Sequence, residues 1–213
     1  MLVFDFFSGT GSSTQAFRDA GHTVITFELD PEFLATENID VFLLNAKDLI
    51  SKYGQPDFVW ASPPCTAFSV ASIGHHWLQG GENPIPKTEA ARVSQDLVQH
   101  TISLIEQLEP KYGYLIENPR GMLRKLPVVK NLNRYTITYC QYGDTRMKPT
   151  DVWGTIEGWT PRPMCAPGRD CHESSPAGTN AGGTGKLRNA RLRSMIPYEL
   201  GEEICKLIER HAV

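Results

Sequence analysis

Leu2-Val3-Phe4-Asp5-Phe6-Phe7-Ser8-Gly9-Thr10-Gly11 is the stretch that decides the fold. Apart from Asp5 its first six residues are apolar, which reads as a buried strand. That strand runs directly into the turn Ser8-Gly9-Thr10-Gly11-Ser12-Ser13, after which Ala16, Phe17 and Ala20 recur at helical spacing until Gly21 stops the helix. Strand, glycine turn and helix form the opening of an α/β unit. Glycines at such a turn let backbone N–H groups come close to a ligand. The turn lacks the third glycine of the dinucleotide fingerprint and the Gly-Lys-Ser/Thr of a phosphate loop, so it does not predict a pyrophosphate ligand.

The same alternation continues along the chain. Residues 23–27 read as a second strand ending at Glu28, and residues 40–44 as a third, followed by Asn45, Ala46, Lys47 and Asp48. The apolar run 58–61 reads as a fourth strand that meets Ser62-Pro63-Pro64-Cys65, where two prolines stiffen the backbone ahead of a thiol. Residues 66–87 are long, irregular and rich in Gly and Pro, which suggests a lid, with His75, His76 and Trp77 facing substrate or solvent. Thr88 can cap a helix whose Leu97, Leu104, Ile105 and Leu108 share a face, and Pro110 ends it. Residues 112–116 read as a fifth strand with Glu117-Asn118-Pro119 at its end. Residues 135–139 and 152–155 read as two more strands, and a last amphipathic helix starts at Pro197.

Strands alternating with helices predict a doubly wound, mostly parallel sheet. Residues 1–155 with 186–213 are expected to form one domain, with 156–185 an irregular segment beside it. Ligands on such sheets gather at the C-terminal ends of the strands, and Gly9, Glu28, Cys65 and Glu117 all fall at such ends. An acid at the end of the second strand, about 20 residues after the glycine turn, is placed to hold ribose hydroxyls.

The net charge of −3 over 213 residues carries no nucleic-acid signature. Its distribution does. Residues 1–119 hold 6 Lys/Arg against 15 Asp/Glu, a net −9, whereas residues 120–193 hold 13 against 5, a net +8. That split suggests a polyanion on one side of the molecule. No apolar run approaches the ~20 residues of a membrane span, and no leader precedes Asp5. Five cysteines without a framework of spacings suggest free thiols in a reducing, cytoplasmic compartment.

These residues together resemble the DNA (cytosine-5)-methyltransferase family. Asp5-Phe6-Phe7-Ser8-Gly9-Thr10-Gly11 resembles its cofactor motif, Pro64-Cys65 with Phe68-Ser69 its nucleophile motif, and Glu117-Asn118-Pro119-Arg120-Gly121 its Glu-Asn-Val-x-Gly motif. The resemblance implies a Rossmann-like fold that binds S-adenosylmethionine through Phe7, Ser8, Gly9, Thr10, Gly11, Glu28, Asn45, Asp48 and Pro64. It implies catalysis by Cys65 and Glu117 with the cations Arg146 and Lys148 on a cytosine flipped out of double-stranded DNA, with Ser62 and Asn118 beside that substrate. The positive charge of residues 120–193 adds Arg188 and Arg191 as residues that would meet DNA phosphates.

Departures mark the second half. Gly143-Asp144-Thr145-Arg146-Met147-Lys148 is the nearest counterpart of the family's Gln-x-Arg-x-Arg, and the Gly-Asn before the last helix is absent. Too few residues remain for a target-recognition domain, as in the compact forms that bacteriophages carry. Three alternatives stay open: an RNA cytosine methyltransferase, a catalytically silent binding homologue, and a transferase of a larger group.

Cys165, Cys171 and His172 lie outside that resemblance. Their spacing could hold zinc, but a structural site needs four protein ligands and the sequence offers no evident fourth, so an exposed loop with free thiols is the simpler expectation.

Overall fold

The computed structural model describes residues 1–78, 83–173 and 189–212. In chain order its elements are β1 (Leu2–Phe6), α1 (Gln15–Asp19), β2 (Thr23–Glu28), β3 (Glu37–Asn38), α2 (Ala46–Tyr53), β4 (Phe58–Ala61), α3 (Ile73–His76), β5 (Trp77–Leu78) and β6 (Ile85–Pro86). They continue with α4 (Glu89–Leu108), β7 (Tyr114–Pro119), β8 (Arg134–Thr138), β9 (Pro149–Thr155), α5 (Ala190–Ser194) and α6 (Tyr198–His211). Seven strands form one sheet in the order β3-β2-β1-β4-β7-β9-β8. The first five of these run parallel; β9 pairs antiparallel with both β7 and β8. The expected doubly wound, mostly parallel sheet is present.

Strands buried on both faces explain the near-continuous apolar runs. Phe4, Phe6, Phe27, Val59 and Ile116 belong to the core under α2 and α4, and Val3, Phe58, Trp60, Leu115 and Val152 to the core under α1 and α6. Gly201 permits the close packing of α6, because a Cβ there would lie 2.7 Å from the Ser13 carbonyl oxygen. Among the described residues, no helix is long and apolar enough to cross a membrane.

Three expectations need correction. Residues 40–44 are not a strand: the Asp40 carboxylate accepts from Phe42 N at 3.0 Å, capping a 3-10 turn over Val41–Leu43, while the third strand is the two-residue β3. Phe42 and Leu43 are exposed while Val41 and Leu44 are buried, so the apolar run is buried only at its two ends. Trp77 does not face substrate or solvent; it is 2% exposed, stacks on Phe68 and donates its indole N–H to the Ala67 carbonyl at 2.7 Å. The fifth strand is shifted toward Pro119, because β9 pairs with it as far as Pro119↔Thr150. The helix capped by Thr88 forms as expected, with the Thr88 hydroxyl accepting from Ala91 N.

Candidate active site

The last parallel pair between β4 and β7 is Ala61↔Ile116, so both chains reach the same edge of the sheet together. Beyond it Ser62 through Cys65 lie beside Glu117, and one cleft of about 260 Å³ is lined by Phe7, Ser8, Gly9, Ser62, Cys65, Glu117 and Lys148, among others. Thr10, Pro64, Ser194 and Ile196 line it too. Three motifs 50 or more residues apart thus share one wall because the parallel sheet ends there.

The Cys65 turn is held from two sides. Asn118 Nδ2 donates to the Pro63 carbonyl at 2.8 Å, and the Cys65 carbonyl accepts from Phe68 N and Ser69 N, both at 2.9 Å. Asn118 is fully buried, so its contact is with the turn itself. Gly121 completes the clamp. Met122 N donates to the Phe68 carbonyl at 2.8 Å, an approach so close that a Cβ on Gly121 would lie 2.2 Å from that oxygen. The Glu-Asn-Pro-Arg-Gly stretch therefore positions the thiol as well as supplying an acid.

Glu117 is 5% exposed and accepts a hydrogen bond from the Tyr139 hydroxyl at 2.8 Å. Burial holds its carboxyl above the usual range; the Lys148 charge and the Tyr139 hydrogen bond pull the other way. Burial, and then the charge of Glu117, push the Cys65 thiol up, against the opposing pull of Lys148 and Arg193. Lys148 stands 4.6 Å over the Tyr139 ring and is 9% exposed, so one cation serves both groups in a poorly solvated place.

Arg146, expected as a catalytic cation, does not line the cleft. Its guanidinium is paired with Asp144 and donates to the carbonyls of Leu192, Arg193 and Met195 at 3.2, 3.0 and 3.1 Å. It ties down the chain that carries Ser194 and Ile196 into the cleft. Asn45 and Asp48 are not lining residues either: Asn45 caps α2 by accepting from Asp48 N at 3.0 Å, and both are exposed. Arg191 stacks on Phe33 at 4.7 Å above a neighbouring hollow that shares Ser8, Gly9 and Thr10 with the cleft. Arg188 lies outside the described residues. Tyr139, which sequence reading took only as the end of a strand, had no local signal beyond its place in an apolar run.

The glycine turn is strained and already hydrogen-bonded. Phe7, Gly9 and Gly11 have φ of 59°, 47° and 70°. Ser8 N donates to Phe27 O, Gly9 N to Glu28 Oε2 and Gly11 N to Ser8 O, at 3.2, 2.8 and 2.7 Å. Three of its amides are thus engaged within the fold, which does not suit a pyrophosphate. A Cβ on Gly9 would meet nothing within 4 Å, so the backbone there borders open space that a nucleoside can enter. Beneath the turn, Asp5 is fully buried. Its Oδ2 accepts from Ser13 and Thr14, its Oδ1 has no partner, and burial raises its carboxyl to about 6 despite those bonds.

This fold is found in solved methyltransferases. The Entamoeba histolytica methyltransferase EhMeth matches with a TM-score of 0.52 at 14% identity, over 76% of this chain and 55% of that one. The S. pombe Dnmt2 methyltransferase matches with a TM-score of 0.51 at 14% identity, over 76% and 51%. The chain spans about half the length of those structures. Residues 1–137 match the model of the C-5 cytosine-specific DNA methylase family. A Frog virus 3 (isolate Goorha) protein named probable DNA (cytosine-5)-methyltransferase is 31% identical over 97% of this chain and 100% of its own length. The chain belongs to the C-5 cytosine-specific DNA methylase family.

Proposed function

We propose that this protein transfers a methyl group from S-adenosylmethionine to carbon 5 of a cytosine flipped out of duplex DNA. The observation that carries the reading is the shared cleft of Cys65, Glu117 and Lys148 beside the glycine turn. The open space at Gly9 and the engagement of Ser8 N, Gly9 N and Gly11 N within the fold suit a nucleoside without phosphates, held by Phe7 through Gly11 and Pro64. When bound, S-adenosylmethionine supplies an electrophilic methyl group.

The chain's own residues overcome the weak nucleophilicity of carbon 5. The Cys65 thiolate adds to carbon 6, forming a carbon–sulfur bond. Glu117, whose burial favours the protonated form, gives its proton to ring nitrogen 3, so the electrons displaced from the ring settle as a neutral enamine with density at carbon 5. After carbon 5 is methylated, its own proton is lost to solvent, the proton on ring nitrogen 3 returns to the Glu117 carboxylate and the carbon–sulfur bond breaks, freeing the Cys65 thiolate. Lys148 favours the thiolate before attack. A stacked base cannot reach this cleft, which is why flipping is part of the proposal.

Residues 1–155 and 186–213 act as one catalytic unit in this reading, supported by the packing of α1 against α6 and the bond from Ile196 N to Ser12 Oγ at 2.9 Å. In sequence, residues 156–185 take the place of a recognition domain in this reading; 174–185 lie outside the described residues.

Duplex DNA carrying 5-fluorocytosine tests the reading, because fluorine cannot leave as a cation. The wild-type chain should be trapped covalently in the presence of S-adenosylmethionine, and Cys65→Ser should not. Equal trapping of both would refute the nucleophile. Competition between DNA and RNA of matched sequence separates the two polymers.

A further inference from the structure

Cys140, which the sequence places 25 residues before Cys165, lies in the fold beside Cys165, Cys171 and His172. The four ligand atoms all fall within 4.8 Å of one another. We propose that Cys140, Cys165, Cys171 and His172 hold a structural zinc ion.

The distances suit that ion. Zinc bonds of about 2.3 Å to sulfur and about 2.0–2.1 Å to nitrogen, arranged tetrahedrally, put neighbouring ligand atoms roughly 3.5–3.8 Å apart. Cys165 Sγ and Cys171 Sγ each lie 3.6 Å from His172 Nδ1 and 3.2 Å from each other. A disulfide between the two sulfurs would not explain the approach of the imidazole and of a third thiol to the same point, and all are free cysteines. Three thiolates with one imidazole are a borderline-soft donor set suited to zinc, and four protein ligands leave no open position for catalysis. The thiols release their protons to solvent as the metal–sulfur bonds form.

The surroundings are those of a built site. Gly168 at φ 80° turns the chain back so that Cys171 meets Cys165. Cys165 N donates to Thr138 Oγ1 at 2.8 Å, Glu173 N donates to Thr145 O at 2.9 Å, and Gln141 Nε2 donates to Cys171 Sγ at 3.5 Å, an outer-shell donor to a thiolate. The segment has little apolar content of its own, and its Met164 is 45% exposed. A metal would tie it to the turn over Tyr139–Tyr142, whose first residue reaches Glu117.

The full-length chain, purified without added zinc, should carry one zinc per molecule by elemental mass spectrometry. Cobalt in its place should give tetrahedral ligand-field bands and thiolate charge transfer. Cys171→Ser removes an exposed ligand and should lower metal content well below one per chain. Cys205→Ser, in the separate His22, Cys205 and Glu209 group, should leave it unchanged. Chelation should expose the bond after Arg169 to trypsin while α4 stays resistant. A folded chain that binds no cobalt through thiolates, or metal retained by Cys171→Ser, or metal lost by Cys205→Ser, would each overturn the site. These readouts are independent of methyl transfer, so they stand apart from the proposed activity.

Discussion

The Tyr139 hydroxyl donates to Glu117 Oε1 at 2.8 Å, and both side chains are buried. That bond favours the carboxylate, so it lowers the pKa that burial raises. In the proposed chemistry the protonated acid is the working form, and activity falls as pH rises through its pKa. Tyr139→Phe removes the donor, and the basic limb of kcat/KM should move to higher pH by about one unit, given ~1.5 kcal/mol for a hydrogen bond to a charged group. A limb that stays put, or moves to lower pH, would contradict the role of the bond.

Glu117→Gln keeps the shape of the side chain but has no acidic proton to give. It should slow methyl transfer by about 10²–10⁴ and leave S-adenosylmethionine affinity nearly unchanged. Glu28→Ala should do the reverse, because Glu28 braces Gly9 N and Asp30 N at 2.8 and 3.1 Å and lies outside the catalytic cleft. Equilibrium binding of the cofactor beside single-turnover rates distinguishes the two patterns.

Gly121→Ala drives a methyl group into the Phe68 carbonyl. The strain should lower the unfolding free energy by about 1–3 kcal/mol, read as a lower urea midpoint at unchanged m-value. The Cys65 turn hangs from the same carbonyl region, so trapping by 5-fluorocytosine DNA should slow in the fraction that remains folded.

Asp5 sets a pH dependence of stability. Its carboxyl is raised from 3.8 to about 6 by burial, so the folded state binds the proton more tightly than the unfolded chain. Stability is then greatest below the unfolded value and falls as pH climbs toward about 6, by ~3 kcal/mol at most. Asp5→Asn should flatten that slope between pH 4 and 6, measured by urea unfolding across the range. An unchanged slope would assign the effect to another group.

Sequence preference should be short, one or two base pairs around the cytosine, because charge rather than a recognition domain meets the DNA. Binding should weaken steeply with salt. Arg191→Ala should lower affinity about equally for all sequences and flatten the salt slope by roughly one unit if one phosphate contact is lost. Bisulfite sequencing of DNA methylated by the purified protein reads the preference, and a strict four-to-six-base site would refute it.

The sequence by itself determined the alternation of strands and helices, the capped start of α4 at Thr88, and the gathering of Gly9, Cys65 and Glu117 at one sheet edge. Those features follow from local periodicity and from the rule that parallel strands end together. Tertiary structure decided what depends on partners far along the chain. Trp77 went inward because Phe68 and the Ala67 carbonyl receive it. The turn at 40–44 is the exception, a local one, in which Asp40 accepts from Phe42 N at 3.0 Å. Two cations two residues apart parted company: Arg146 satisfied carbonyls at 192–195 while Lys148 turned to the cleft. Tyr139 and Cys140, adjacent in sequence, acquired an acid and a cluster of thiols respectively. Side-chain pairing is a matter of which groups burial brings into contact, and no spacing within a short window records it.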